Sequence, residues 1–207
     1  MRTTLLTLML IVPTLSFAQQ TNPPIAKVAL SQGESTIITS TGLSSAALYE
    51  SEIAAGDSLA TSATGMLHVR FNNSGIASIR CNSELRIQEF TAEPNEVVEL
   101  HLLEGSVRII SGTTLPSNFQ LVTPLGIVRI VDTGADFAVS ADAQASASFG
   151  VFQGAISVEN ESGAVQLGAG NDFNFAVVSD GNPPSAVATH PAGLRSGNCA
   201  GGASPFP

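Results

Sequence analysis

From Pro23 onward, short apolar runs are separated by Gly, Asn, Ser or Pro, and within many runs hydrophobic and polar residues alternate one for one. Leu67, Val69 and Phe71 oppose His68 and Arg70, and Leu85 and Ile87 oppose Glu84, Arg86 and Gln88. Val98, Leu100 and Leu102 oppose Glu99 and His101, and Val107 and Ile109 flank Arg108. A period of two is what a strand needs when one face is buried and the other is wet. The pattern predicts strands at 25–30, 35–39, 66–71, 76–80, 84–90, 97–102, 106–110, 119–123, 127–131, 136–140, 147–152, 155–159, 164–167 and 173–178. Many such runs, spaced by roughly 8–12 residues with turn signals between, specify an all-β fold. Residues 44–53 are the one helical candidate.

Residues 119–139 form the stretch around which the chain is organised: two apolar runs joined by Thr123-Pro124-Leu125-Gly126, then Asp132-Thr133-Gly134. The run 127–131 is apolar on both sides except at Arg129, which places it near the middle of a sheet. A local pattern also recurs. Leu103-Glu104-Gly105-Ser106-Val107-Arg108-Ile109 and Phe152-Gln153-Gly154-Ala155-Ile156-Ser157-Val158 each turn through a glycine into an alternating strand. A recurring turn-strand unit favours a single domain built as a right-handed β-helix or solenoid, with a β-sandwich as the alternative.

The N-terminus has a different character. Met1-Arg2, an uncharged run from Thr3 to Leu15 and Ser16-Phe17-Ala18 read as a secretory signal cleaved near Ala18. The run is shorter than the ~20 residues that span a bilayer. The expected order is a signal over 1–18, a linker over 19–24, a β domain over 25–178 and a Gly/Pro/Ser-rich tail over 179–207, either disordered or pinned by a disulfide. The formal charge of −9 argues against nucleic acid as the main partner, because such binding needs a basic surface.

The candidate chemistry is sparse. Cys81 and Cys199 are the only cysteines and are candidates for a disulfide in an exported protein. Arg70, Arg86, Arg108 and Arg129 fall at outward strand positions and are candidate binding residues, a ladder interleaved with Glu84, Glu99 and Glu104. Asp132-Thr133-Gly134 matches the aspartic-protease signature, in which two carboxylates share a proton. No second such loop is present, so catalysis through Asp132 would require a homodimer, and Asp-Thr-Gly is equally an ordinary turn. Neither a metal site nor a cofactor motif is expected.

Taken in order, the residues resemble the FecR domain of bacterial envelope proteins. The features are Gly56-Asp57-Ser58-Leu59-Ala60-Thr61, the run 67–71 with its turn at 72–75, Ser83-Glu84-Leu85-Arg86-Ile87 and Glu104-Gly105-Ser106-Val107. Pro124-Leu125-Gly126, Asp132 to Val139, the second strand-entry glycine Gly154 and Leu167-Gly168-Ala169-Gly170 complete the set. The resemblance implies a non-catalytic role in envelope signalling. Family members regulate a sigma factor through a cytoplasmic segment and one membrane helix. Here a cleavable leader stands in that place, so direct sigma-factor contact and a membrane span in the mature chain are not expected. The expected protein is an exported, periplasmic or extracellular binding module for an envelope protein or polysaccharide component. A purely structural secreted protein is the remaining alternative.

Overall fold

The structure is a computed structural model that describes residues 23–91, 97–111, 118–131, 134–142, 145–192 and 194. Its strands are β1 (Pro24–Gln32), β2 (Ser35–Ile38), β3 (Ser44–Ala46), β4 (Glu52–Ala54), β5 (Ser58–Thr61) and β6 (Met66–Phe71). They continue with β7 (Ile76–Ile79), β8 (Ser83–Thr91), β9 (Val97–Ile110), β10 (Asn118–Thr123), β11 (Gly126–Ile130) and β12 (Asp136–Asp142). The last are β13 (Ser146–Gln153), β14 (Ala155–Asn160), β15 (Gly163–Gly168), β16 (Phe175–Ser179) and β17 (Ser185–Val187).

The chain alternates between two layers. In the front layer the hydrogen-bonded order is β4-β1-β6-β7-β9-β12-β13-β16-β17. In the back layer it is β3-β2-β5-β8-β9-β10-β11-β14-β15. The long strand β9 belongs to both: residues 97–104 pair in the back layer and residues 105–110 in the front one, so the ladders form one continuous open sheet folded over on itself.

The predicted alternation decides which side chains fill the space between the layers. Leu67, Val69, Leu85, Ile87, Leu102 and Val107 are fully buried there. Each large aliphatic side chain removed from water contributes about 1.5–3 kcal/mol before entropy is counted. Aromatic pairs join the layers at one end. Phe119 of β10 meets Phe137 of β12 edge-on at 5.9 Å between centroids, and Phe71 of β6 stacks on Phe90 of β8 at 5.6 Å.

All-β architecture is as expected, and the sandwich alternative fits. The preferred right-handed β-helix is not confirmed: such a helix stacks its coils as parallel strands, whereas every pairing here except β9–β10 is antiparallel. The repeated glycine pattern has a different origin. Gly105 and Gly154 stand where the chain changes layers, with φ of +89° and +76°. A Cβ on Gly105 would lie 2.5 Å from the Asn82 carbonyl oxygen, and one on Gly154 would lie 2.0 Å from that of Gly134. Both corners therefore need a residue without a side chain and with left-handed freedom. Buried hydroxyls finish the first corner: the Ser106 amide donates to Ser83 Oγ at 2.8 Å, and the Ser83 amide to Thr61 Oγ1 at 3.0 Å.

One expectation changes. Residues 44–53 are not helical but supply β3 and β4, with Glu50 in a left-handed turn (φ +64°) whose amide bonds the Val28 carbonyl at 2.9 Å. The apolar Leu43, Leu48 and Tyr49 are left outside, at 67%, 65% and 70% exposure. As its apolar run indicates, β11 is internal to its layer, between β10 and β14; Gly126 and Val128 are buried, while Arg129 points to solvent and Val131 just beyond the strand is 53% exposed. Finally, the ladder runs past Val178: β17 pairs with β16, and Leu194 is buried.

Candidate functional site

The four candidate arginines do not share a face. Arg70 on β6 and Arg108 on β9 belong to the front layer, and Arg86 on β8 and Arg129 on β11 to the back layer. The period-two pattern puts each outside its own sheet, but it carries no information on which sheet that is.

Arg108 is engaged within the fold. Its Nε and one Nη donate to the two carboxylate oxygens of Asp136, both at 2.7 Å, and its guanidinium lies 4.9 Å from the Phe152 ring centroid. The two side chains are only 15% and 18% exposed, and the hydrogen bonds to Asp136 raise the Arg108 pKa above its ordinary value. A fork-to-fork pair of this kind fixes the geometry of the two strands it joins. Near it, burial and then the Arg108 charge lower the Arg80 pKa, and burial and then the Arg80 charge lower that of His68. His68, Arg80 and Arg108 thus form a desolvated basic group on the front face.

The back face carries a more open relay across four strands. Glu99 of β9 accepts from His101 Nε2 at 2.6 Å and from Gln120 Nε2 on β10. Gln120 Oε1 accepts from Arg129 on β11 at 3.0 Å, and Arg129 Nε donates to Glu159 on β14 at 2.7 Å. The bond from His101, outweighing desolvation, holds the Glu99 carboxyl below the usual range. Arg129 and Glu159 remain 47% and 38% exposed. Arg86 stands opposite His101 in the register, is exposed, and forms no ion pair among the described residues. Sequence reading placed Glu99 and Arg129 in a ladder but missed Gln120 and Glu159, since only the register reveals which outward residues are neighbours.

Beside this relay, a cleft of about 770 Å³ opens between the hairpin ends 122–127, 159–164 and 179–181, lined by Glu159, Glu161 and Asp180 and, among the described residues, by no basic side chain. Among the described residues no group of three His, Cys, Asp or Glu side chains is placed to hold a metal. Asp132 and Thr133 lie outside the described residues, as does Cys199. Cys81 is 1% exposed and disulfide-bonded. Among the described residues no helix is long and apolar enough to cross a membrane.

Comparison with known proteins bears on this geometry. Two crystal structures, each of a protein from Parabacteroides distasonis ATCC 8503 provisionally described as an anti-sigma factor, share the fold. One aligns with a TM-score of 0.51 at 15% identity and the other with 0.50 at 17%. Each alignment covers 62% of this chain and 59% of that protein, so the chain spans about three fifths of its length. No curated protein matches the chain. The family described as FecR protein matches residues 57–157, from the buried Asp57 that caps the turn into β5 to Ser157 in β14. Over residues 57–157 this protein carries a FecR domain.

Proposed function

We propose that this chain is an exported, non-catalytic FecR-domain module that binds an envelope protein through its back face, as an accessory in envelope signalling. The match to the FecR family over residues 57–157 is the observation that carries this reading. The fold shared with a protein provisionally described as an anti-sigma factor is in keeping with a regulatory role. Residues 1–18 serve as the export signal, and cleavage near Ala18 releases the mature chain.

The back face suits a protein partner. Its charges alternate in sign along the relay, from Glu99 through Arg129 to Glu159, and Arg86 adds a cation with no ion-pair partner among the described residues. Such a surface discriminates between partners by charge register more than it adds raw affinity. On the front face, by contrast, Arg108 is committed to Asp136.

The test is crosslinking of the tagged protein in its native envelope, repeated with Arg86→Glu combined with Arg129→Glu. Capture of one protein by the parent chain, lost in the double variant while the fold is retained, supports the reading. Capture that the double variant leaves unchanged refutes the back face. A chain that captures only itself refutes the binding module and favours a structural role.

A further inference from the structure

Among the described residues each layer ends in two edge strands, and three of these four, β3, β4 and β17, are three residues long. So short an edge offers an incoming chain little to pair with, which is one way a sheet protects itself. The fourth, β15 at the end of the back layer, has six residues, no charge, no proline and an unbroken register with β14. Its neighbours show which of its backbone groups are free. The Val131 amide donates to the Ala155 carbonyl at 3.0 Å, and Gly168, opposite Ala155, donates its amide to the Phe173 carbonyl at 2.9 Å. This pair therefore turns its backbone groups away from each other. Alternation along an antiparallel ladder turns the N–H and C=O of Ala164 and Gln166 away from β14 as well. Both residues are exposed, and β14 is the one strand paired with β15 among the described residues. Val165 of β15 and Ala186 of β17 pack against the core but stay partly exposed, which leaves apolar surface at this end of the sandwich. The acidic cleft opens at the start of β15. In it Glu159 is committed to Arg129, whereas Glu161 and Asp180 are exposed and form no ion pair among the described residues.

We propose that β15 takes an extended segment of another protein as an added strand, with a lysine or arginine of that segment seated in the cleft at Glu161 and Asp180. Main-chain bonds at Ala164 and Gln166 supply the affinity, and alternate side chains of the segment supply the specificity. The side chains directed between the layers meet Val165 and Ala186 and are apolar. Charge selects the occupant. An acidic cleft rejects an anionic segment, and it disfavours a second copy on the same edge, because residues 130–194 hold seven acidic residues and no lysine or arginine. The site takes the opposite charge from the one that Arg86 would take, and the inference does not rest on the back-face reading.

The probe is a fluorescent peptide of alternating valine and threonine, made with lysines at its N-terminal or its C-terminal end and titrated against the full chain by fluorescence anisotropy. The expected result is that one lysine peptide binds, and that its binding weakens as salt is raised. The same peptide with glutamates in place of lysines, or with its backbone N-methylated at alternate residues, binds several-fold more weakly. Gln166→Pro removes an outward amide that the fold does not use, a place where an edge strand tolerates proline, and it abolishes binding while Tm is held. Glu161→Lys with Asp180→Lys reverses the preference for lysine over glutamate ends and serves if Gln166→Pro does not fold. Arg86→Glu leaves peptide binding unchanged, so this edge and the back face fail separately. Binding by neither lysine peptide, equal binding of the N-methylated form, or binding that a folded Gln166→Pro retains overturns the proposal. A dimer of the parent chain that Gln166→Pro dissociates overturns it as well, by assigning the edge to a second copy.

Discussion

Replacing Asp136 by Asn tests whether Arg108 is a binding residue or a structural one. An exposed ion pair is worth about 0–1 kcal/mol, whereas removing one partner of a buried pair costs about 3–5 kcal/mol because the other charge stays desolvated. With side chains 15% and 18% exposed and two bonds of 2.7 Å, the Arg108–Asp136 pair lies nearer the buried limit. The expected cost of Asp136→Asn is therefore about 2–3 kcal/mol. In a domain of this size that lowers Tm by roughly 5–10 °C. Urea unfolding of Asp136→Asn, Arg108→Met and the double variant completes a thermodynamic cycle, in which the double variant should fall short of the summed singles by at least about 1 kcal/mol. The internal control is Glu159→Gln, which breaks the 47%- and 38%-exposed pair with Arg129 and should cost under about 1 kcal/mol. Additive single effects, or a cost no larger than that of the control, would refute the structural assignment and return Arg108 to the set of docking residues.

Gly105→Ala and Gly154→Ala should each destabilise by at least about 1–3 kcal/mol from positive φ alone. Chemical denaturation should find Gly154→Ala the worse, since its methyl meets a backbone oxygen at 2.0 Å. Acid should weaken the fold in two steps. The His68 pKa is lowered, so its contribution is complete above the ordinary value of 6.5 and is lost as pH falls below it. The Glu99 pKa is lowered too, so its contribution is complete above 4.5 and is lost in more acidic solution. Thermal unfolding across this range should show the upper step vanish in His68→Gln and the lower one in Glu99→Gln; a single step that both variants retain would contradict the assignment. Arg86→Glu with Arg129→Glu should abolish partner capture while moving Tm by no more than a few degrees, whereas Arg108→Glu should lower Tm strongly.

The legible part of the fold was the part governed by short-range alternation. The runs at 66–71, 84–90 and 119–123 became β6, β8 and β10, and the predicted 97–102 and 106–110 merged into β9 because Gly105 bends the strand without ending it. The strands that went unread, β3, β4, β5 and β17, are three or four residues long, and β3 is exposed throughout. So short an element carries too few positions to display a period. Layer assignment was also illegible. Which sheet a strand joins depends on pairings such as Arg129 with Gln120, or Arg108 with Ala138, between residues 9 and 30 positions apart.

That loss of information explains why the arginine ladder could be read as one surface and is two. Two packed sheets stand ~10 Å apart, with side chains projecting outward from both, so no flat partner touches Arg70 and Arg86 together. The residues that can act jointly are those that one layer places in register, and in the back layer these are His101, Glu99, Gln120, Arg129 and Glu159, with Arg86 beside them. Most of this relay is internally satisfied, so a partner gains from it only by replacing hydrogen bonds that already exist, and the net return is small. Arg86 differs because it has no ion-pair partner among the described residues to give up. A carboxylate brought to Arg86 would add an interaction without breaking one, and Arg86→Glu alone should therefore account for most of the binding lost in the double variant.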